Sequence, residues 1–245
     1  MPPSDYRTRL LAQYVSTHTS VSGAIAGLEQ RRPYLDRLVR DHFPANRQAA
    51  ILDLGCGHGA ILWAASRAGY TNTAGVDASP EQVEAARQLG IKGVRQGALD
   101  AALAATPDAS QDVVILFDLL HYFTPDEQFR MADQVHRVLR PGGRWIIHVP
   151  NGEALFGARM RYWDYLATGA FTRASIGQML RTCGFADVRC FEDTPVVHGP
   201  ASALRWAAWK LIRGVSRVVL AAETGETGRD AIFSQLLLAV AIKAG

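Results

Sequence analysis

Cysteine is scarce in this chain: Cys56, Cys183 and Cys190 are the only three in 245 residues. Three thiols cannot build a disulfide framework, and without a CxxC pair no zinc site is expected. Long apolar runs are lacking as well. Leu236 to Ile242, the longest near the end of the sequence, falls far short of the roughly 20 residues of a membrane span. The opening MPPSDYRTRLL has no apolar core of a secretory leader. There is no run of Lys or Arg, and net charge is only 26 − 23 = +3, so no nucleic-acid-binding arm is read. Internal repeats and low-complexity tracts are missing too. These absences point to a cytoplasmic, reducing setting and to partners other than nucleic acid. What remains is globular composition, 48% hydrophobic and 20% charged, with length enough for the core of an α/β domain.

The hydrophobic pattern supplies the order of elements. Residues 4–43 read as helical, with Leu10, Leu11 and Tyr14 and then Leu35, Leu38 and Val39 on the apolar positions; Pro44 and Asn46 close the segment. Strands are expected at 49–54, 73–76, 93–96, 112–117 and 144–149. Helices are expected at 60–68, at 80–89 (Ser79 as N-cap, Pro80 in the first turn) and at 125–139, the last ended by Pro141-Gly142-Gly143. The wholly apolar 113–117 suits a strand buried on both faces. Beyond Pro150 the rhythm loosens into an irregular connection (151–171), a helix at 172–183 capped by Thr172, a strand at 188–191, a long helix at 200–222 and a strand at 234–243. Such alternation predicts a parallel sheet covered on both sides by helices. One domain is expected over 1–245, with a helical cap (1–44), a core (45–150) and insertions at 151–171 and 194–230.

The strongest chemical signal is Ile51-Leu-Asp-Leu-Gly55-Cys-Gly57-His-Gly59-Ala60. Glycine is needed where the chain turns sharply or where a ligand touches the main chain, and a helix N-terminus beyond the turn offers N–H groups. Gly55, Gly57 and Ala60 also fit the dinucleotide spacing GxGxxG/A, with Asp77 after the second strand to take ribose hydroxyls. An NAD-dependent oxidoreductase and a non-catalytic nucleoside-binding module are therefore open readings. Asp53 argues against a diphosphate: a carboxylate two residues before Gly55 repels phosphate and suits a cationic ligand carrying an amino group and a sulfonium.

This segment resembles the first motif of class I S-adenosylmethionine-dependent methyltransferases. Further segments resemble the same family in order: Gly75-Val-Asp77-Ala78-Ser-Pro-Glu-Gln82, Gln96-Gly97-Ala98-Leu99, Asp112-Val-Val-Ile-Leu-Phe117-Asp118, and Leu139-Arg-Pro-Gly-Gly143 leading to Pro150-Asn151. The similarity covers about residues 45–193. It implies a Rossmann-like, doubly wound seven-stranded sheet, mostly parallel with an antiparallel last strand. It also implies S-adenosylmethionine as cofactor, S-adenosylhomocysteine as product, and cofactor contacts from Asp53, Gly55, Cys56, Gly57, Asp77, Ala78, Gln82, Gly97, Ala98, Leu99, Phe117 and Asp118. The family's usual acid on the adenine side is Ala98 here, leaving the adenine amino group to main chain or to Asp100. More narrowly, the chain is similar to methyltransferases of bacterial glycan and polysaccharide gene clusters, themselves related to ubiquinone-pathway O-methyltransferases. The supporting residues are Gly69-Tyr70, Pro150-Asn151, Ala170-Phe171-Thr172, Gly184-Phe185 and Glu223-Thr224-Gly225. In that broader group a Glu-His and a Thr-His pair are frequent. The matching positions here are His121-Tyr122 and Leu166-Ala167, so no metal requirement is expected.

Methyl transfer from a sulfonium is an in-line displacement that gains from alignment, and an oxygen acceptor gains from a general base. The candidates lie at the carboxyl ends of strands four and five and on the connection that follows: His121 first, then Asp118, Tyr122 and Asp164. His148, mid-strand, reads as a satisfied core histidine. Phe156, Tyr162, Trp163, Tyr165 and Phe171, with Arg159 and Arg161, suit either an acceptor lid or cover for the sheet edge. Tyr14 and His18 suit a cover over the cofactor. On the 200–222 helix, Arg205, Lys210, Arg213 and Arg217 share an arc with Trp206 and Trp209, opposite Leu204, Leu211, Ile212, Val215, Val218 and Val219. That arc fits a docked face, a homodimer contact, a pocket for an anionic substrate, or a peripheral contact with the inner face of the membrane. The expected reaction is methylation of a hydroxyl on a small molecule, a sugar or a glycan intermediate; a natural-product or quinone-like acceptor is the alternative.

Overall fold

The computed structural model describes residues 25–225 and 230–245, together with residues 6, 9, 10 and 228. Tyr14 and His18 lie outside the described residues. Seven strands form one sheet in the order β3-β2-β1-β4-β5-β7-β6. They are β1 (Ile51–Leu54), β2 (Thr73–Asp77), β3 (Val94–Gln96), β4 (Gln111–Phe117), β5 (Leu139–Pro150), β6 (Phe185–Glu192) and β7 (Leu236–Lys243). β7 runs antiparallel to both β5 and β6, while β1 to β5 pair parallel. The expected Rossmann-like sheet with its antiparallel last strand is what the chain forms.

The period of two sends alternate residues to opposite layers. Ile51, Val113, Ile115, Ile146, Leu238 and Val240 pack on one side with α1 (Ile25–His42) and α2 (Ala60–Arg67). Leu52, Val114, Leu116, Trp145, Ile147 and Ala239 pack on the other, with Leu103 of α4 (Leu99–Ala105), Met131 and Val135 of α5 (Pro125–Val138) and Ile176 and Leu180 of α7 (Arg173–Thr182). The helix starts obey their side chains. Ser79 accepts from the Gln82 amide at the head of α3 (Pro80–Gln88). Thr124 with Glu127, and Thr172 with Ser175, close reciprocal capping boxes on α5 and α7.

Three expectations are corrected. Strand–helix alternation assigns no element to 99–105, yet the chain forms α4 there. Pro141-Gly142-Gly143 does not separate helix from strand. β5 already begins at Leu139, pairs with Gln111, and shifts register before Arg144 meets Val113. The 151–171 connection includes a short helix, α6 (Gly157–Arg161).

The long helix α8 (Pro200–Thr224) ends at Gly225 in the left-handed region, φ 74°. Its basic-aromatic arc turns partly inward. Arg213 pairs with the largely buried Glu192 at 2.5 Å, and Trp209 and Arg217 are half-buried. Leu204, Leu211, Val215 and Val218 on the opposite side face outward. The arc is turned inward at Trp209, Arg213 and Arg217, where Glu192 at the end of β6 draws the Arg213 guanidinium toward the sheet, while Arg205, Trp206 and Lys210 stay exposed and the aliphatic face is bare. Among the described residues no helix is long and apolar enough to cross a membrane.

Gly93 joins α3 to β3 with φ 84°, and a Cβ there would lie 2.7 Å from the Thr73 carbonyl oxygen. Backbone, not a movable side chain, blocks the space. Gly93→Ala should therefore lower unfolding free energy by about 1–3 kcal/mol in urea titrations. An unchanged midpoint would show that β2 and β3 separate freely here.

Candidate active site

Where β1 ends, Gly55, Gly57 and Gly59 all have positive φ, 69°, 55° and 83°. The amides of this turn are already engaged. Gly55 and Cys56 donate to the Val76 carbonyl at 2.7 and 3.2 Å, and Gly57 donates to Asp77 Oδ2 at 2.8 Å. The other Asp77 oxygen accepts from Ser79 N at 2.8 Å. Asp77 is thus pinned by main chain on both sides at the carboxyl end of β2, and burial pushes its carboxyl upward. Three amides a diphosphate would need are not available to it. Cys56 packs over the neighbouring strand, since a Cβ on Gly75 would lie 2.7 Å from its sulfur. Its thiol is held far above the ordinary range by burial.

Asp53 is the anomaly of the turn. It is 1% exposed, and among the described residues neither carboxylate oxygen has a hydrogen-bond partner. Burial, and secondarily the Asp77 charge, push its carboxyl up to about 8. A buried polar group without a partner is costly, and this one borders a cavity of about 550 Å³, the size of a small-ligand site.

Most of the predicted residues converge on that cavity. Asp53, Gly55, Cys56, Gly57, Asp77, Ala78, Gln82 and Leu99 line one side of it, with Phe117 and Asp118 at the end of β4. Gly97 and Ala98 are not among the lining residues. The Gly97 amide is used on the Asp77 carbonyl at 3.0 Å, and Ala98 is the extended N-cap of α4. Asp118, His121, Tyr122 and Asp164 all line the other side. Tyr122 donates its hydroxyl to Asp164 Oδ2 at 3.0 Å, and Asp164 Oδ1 accepts from Leu166 N at 2.7 Å. His121 is 6% exposed, tilts against Tyr122 at 4.2 Å between centroids, and has no partner for Nδ1. Burial holds its imidazole down to about 4, against the pull of Asp118 and Asp164, so it is neutral at pH 7.

Asp118 occupies a left-handed conformation, φ 55°. Its amide donates to the His148 carbonyl at 3.0 Å, and its Oδ1 lies 2.6 Å from His148 Nδ1. The core histidine of the sequence reading is thus tied to a pocket carboxylate, which β4–β5 register explains: Phe117 lies beside His148. Sequence reasoning also missed Gln30 and Arg31 of α1, which reach the cavity; the apolar stripe Leu28, Leu35, Leu38 that docks α1 was the available signal. In the 151–171 segment Met160, Trp163 and Leu166 line the cavity. Arg159 and Arg161 do not, stacking instead over Trp163 and Tyr162 at 5.9 and 5.5 Å. Pro150 lines the cavity, whereas buried Asn151 is structural, donating to the Ile232 and Ser234 carbonyls at 2.6 and 2.8 Å. Among the described residues, no three His, Cys, Asp or Glu side chains are grouped to hold a metal ion.

Comparison with known proteins fits this geometry. The methyltransferase-domain family matches residues 51–143, the stretch from β1 to the start of β5. A solved S-adenosylmethionine-dependent methyltransferase from Archaeoglobus fulgidus superposes with TM-score 0.65 at 19% identity, over 90% of this chain and all of that one. Nocamycin O-methyltransferase from Saccharothrix syringae is 30% identical over 238 residues, covering 80% of this chain and 83% of its own. The chain belongs to the class I S-adenosylmethionine-dependent methyltransferases. That membership sets aside the NAD-dependent oxidoreductase. The match to 27-O-demethylrifamycin SV methyltransferase from Amycolatopsis mediterranei, 33% identical over 124 residues, takes in 49% of this chain. There the chain spans under half, 45%, of the relative's length.

The unpartnered Asp53 has a thermodynamic signature. Folded, it keeps its proton up to about pH 8; unfolded, it ionises near 3.8. The folded state therefore holds the extra proton between those values, and stability falls as pH rises through that window. Asp53→Asn should melt at least about 2 °C above the parent at pH 7.5, with the gap closing toward pH 4. Equal melting temperatures at pH 7.5 would mean that the carboxyl has a partner.

Proposed function

We propose that this protein transfers a methyl group from S-adenosylmethionine to a hydroxyl of a small, non-anionic acceptor. The observation that carries the reading is Asp53, a buried carboxyl with no protein partner, beside a glycine turn whose amides are occupied. Such a site attracts a cation and offers little to phosphate. Asp53 answers the ammonium and sulfonium charge, and Asp77 keeps lone pairs for ribose hydroxyls. The Gly97–Leu99 corner and Phe117 frame the adenine side, Gly97 and Ala98 from just outside the lining. S-adenosylmethionine, when bound, supplies an electrophilic methyl on sulfur, whose C–S bond breaks as the acceptor oxygen forms the new C–O bond, sulfur keeping the electron pair.

The chain's own task is alignment, exclusion of water and movement of one proton. His121 is neutral and its Nδ1 is unpaired; it takes the proton of the attacking hydroxyl, and Asp118 and Asp164 stabilise the imidazolium that results. Tyr122, fixed by Asp164, holds the His121 ring. Four aspartates against one arginine, Arg31, line the cavity, which disfavours an anionic acceptor. Met160 and Trp163 give the acceptor side an apolar wall. Two relatives are named a nocamycin O-methyltransferase and a 27-O-demethylrifamycin SV methyltransferase, which favours a natural-product acceptor over the glycan intermediate suggested by sequence. We assign the reaction to the cytoplasm and without a metal cofactor, the latter because the family resemblance puts His121-Tyr122 and Leu166-Ala167 where Glu-His and Thr-His pairs are frequent.

Two measurements test this. Calorimetry should show S-adenosylhomocysteine binding with proton release at pH 7, as Asp53 ionises beside the ligand, and no binding of NAD; Asp77→Ala should weaken that binding at least about 10-fold. Binding of NAD alone would reject the proposal. In a labelled-methyl screen over sugar nucleotides, lipid-linked sugars, catechols and macrocyclic polyols, His121→Gln should lower kcat by about 10²–10⁴, and EDTA should change nothing. Full activity of the variant would remove His121 as base.

A further inference from the structure

His148 is buried in β5, 2% exposed, and is not a cavity-lining residue. Its ring stacks on Phe117 at 4.0 Å and 10°, with Tyr34 edge-on at 6.5 Å. A carboxylate stands at each nitrogen: Asp118 Oδ1 at 2.6 Å from Nδ1, and Asp193 Oδ2 at 3.4 Å from Nε2. Asp193 in turn lies 3.4 Å from Arg37 Nη2 of α1, and Arg37 also donates to the Thr194 hydroxyl and carbonyl at 3.1 and 2.9 Å. Charges therefore alternate from the helical cap inward: Arg37, Asp193, His148, Asp118.

Nδ1 is hydrogen-bonded to Asp118, whereas Nε2 meets Asp193 at ion-pair distance without a hydrogen bond; a neutral imidazole would answer only Asp118, and the imidazolium carries a positive charge to both carboxylates. The arrangement therefore selects the cation, in spite of burial. Of the four charged groups, Asp118 alone lines the cavity. It does so from a left-handed backbone, φ 55°, a conformation that is costly for a non-glycine residue and that tends to persist at functional sites. Its side chain is 49% exposed, open toward the cavity, with Oδ1 committed to His148.

We propose that His148 is a positioning residue: as an imidazolium clamped between Asp118 and Asp193, it aims an ionised Asp118 carboxylate at the acceptor side of the cavity, where the second oxygen takes a hydrogen-bond donor of the substrate. This inference rests on the methyltransferase reading and deepens it. The proton removed by His121 is the one on the attacking hydroxyl, so Asp118 requires another donor on the same acceptor, such as a neighbouring hydroxyl. Acceptors with paired hydroxyls are then preferred to those with one. Other titratable groups facing this assembly are Tyr34, pushed upward by burial and the two aspartates, and His121, whose protonation the His148 charge opposes.

The test is nitrogen-15 spectroscopy of histidine-labelled full-length protein saturated with S-adenosylhomocysteine. His148 should show two protonated ring nitrogens at pH 7.5 and titrate near 9, well above an ordinary histidine. Asp118→Asn and Asp193→Asn should each bring that titration down by a unit or more. Asp193→Asn, which lies outside the cavity, should keep S-adenosylhomocysteine affinity within about 2-fold. With whichever acceptor the labelled-methyl screen yields, the same variant should raise acceptor KM several-fold more than it lowers kcat. A His148 with one ring proton at pH 7.5 in protein that binds S-adenosylhomocysteine overturns the inference alone; absence of S-adenosylhomocysteine binding overturns the methyltransferase reading instead. If His148→Gln fails to fold, the two aspartate variants still decide the matter, because the spectrum is read on native His148.

Discussion

Asp53 sits in the middle of a parallel sheet, paired in register with Gly75 on one side and Ile115 on the other. Neither of its oxygens finds a donor. Folding should discard such a group unless something outside the protein completes it. The constraint spreads from there. The glycine turn must close tightly over Val76 and Asp77, so its amides are consumed locally. Gly75 must lack a side chain so that Cys56 can lie flat against β2. Asp77 must be tied by main chain on both oxygens, or two neighbouring carboxyls would drive the strand ends apart. A recognition site for positive charge is the economical outcome of these local rules.

The acceptor side is organised by a different device. Its groups are not stripped of partners but linked to one another, Tyr122 to Asp164 and Asp118 to His148. The two halves of the cavity thus differ in kind. One side waits for a ligand to complete it. The other is largely cross-linked already, with the His121 Nδ1 left open, an arrangement suited to aligning a nucleophile.

Much of this was legible in the sequence, and the reasons are physical. Strand and helix order follows from hydrophobic period and from caps such as Ser79, Thr124 and Thr172, all local features. Most of the glycine-turn side of the cavity, Asp53 to Gln82, is carried by one contiguous segment, so spacing alone gathers those residues. What sequence could not give was long-range pairing. His148 reads as core because its neighbours Ile146, Ile147 and Val149 are core. Only β4–β5 register sets it against Phe117, and only the return of β6 brings Asp193 to its other side. Arg31 and Arg37 escaped notice for the same reason. They lie on the polar side of an ordinary amphipathic helix until Leu35, Leu38 and Val39 seat that helix on the sheet. Four readings of the α8 arc stayed open because helical projection gives the angle between faces, not which one meets the protein; a single distant anion, Glu192, bears on that choice.

The position of β7 bears on how the molecule is made. It lies between β5 and β6 and is the strand to which β6 is hydrogen-bonded, Phe185 to Lys243 through Glu192 to Leu237. Yet it is the last of the seven in chain order. While the polypeptide emerges from the ribosome, β6 has nowhere to pair, and β5 exposes an open edge. Asp193, one residue past β6, cannot reach His148 until that late strand inserts. The glycine-turn half of the pocket can therefore form during synthesis, whereas the charge clamp behind Asp118 is among the final parts to be assembled.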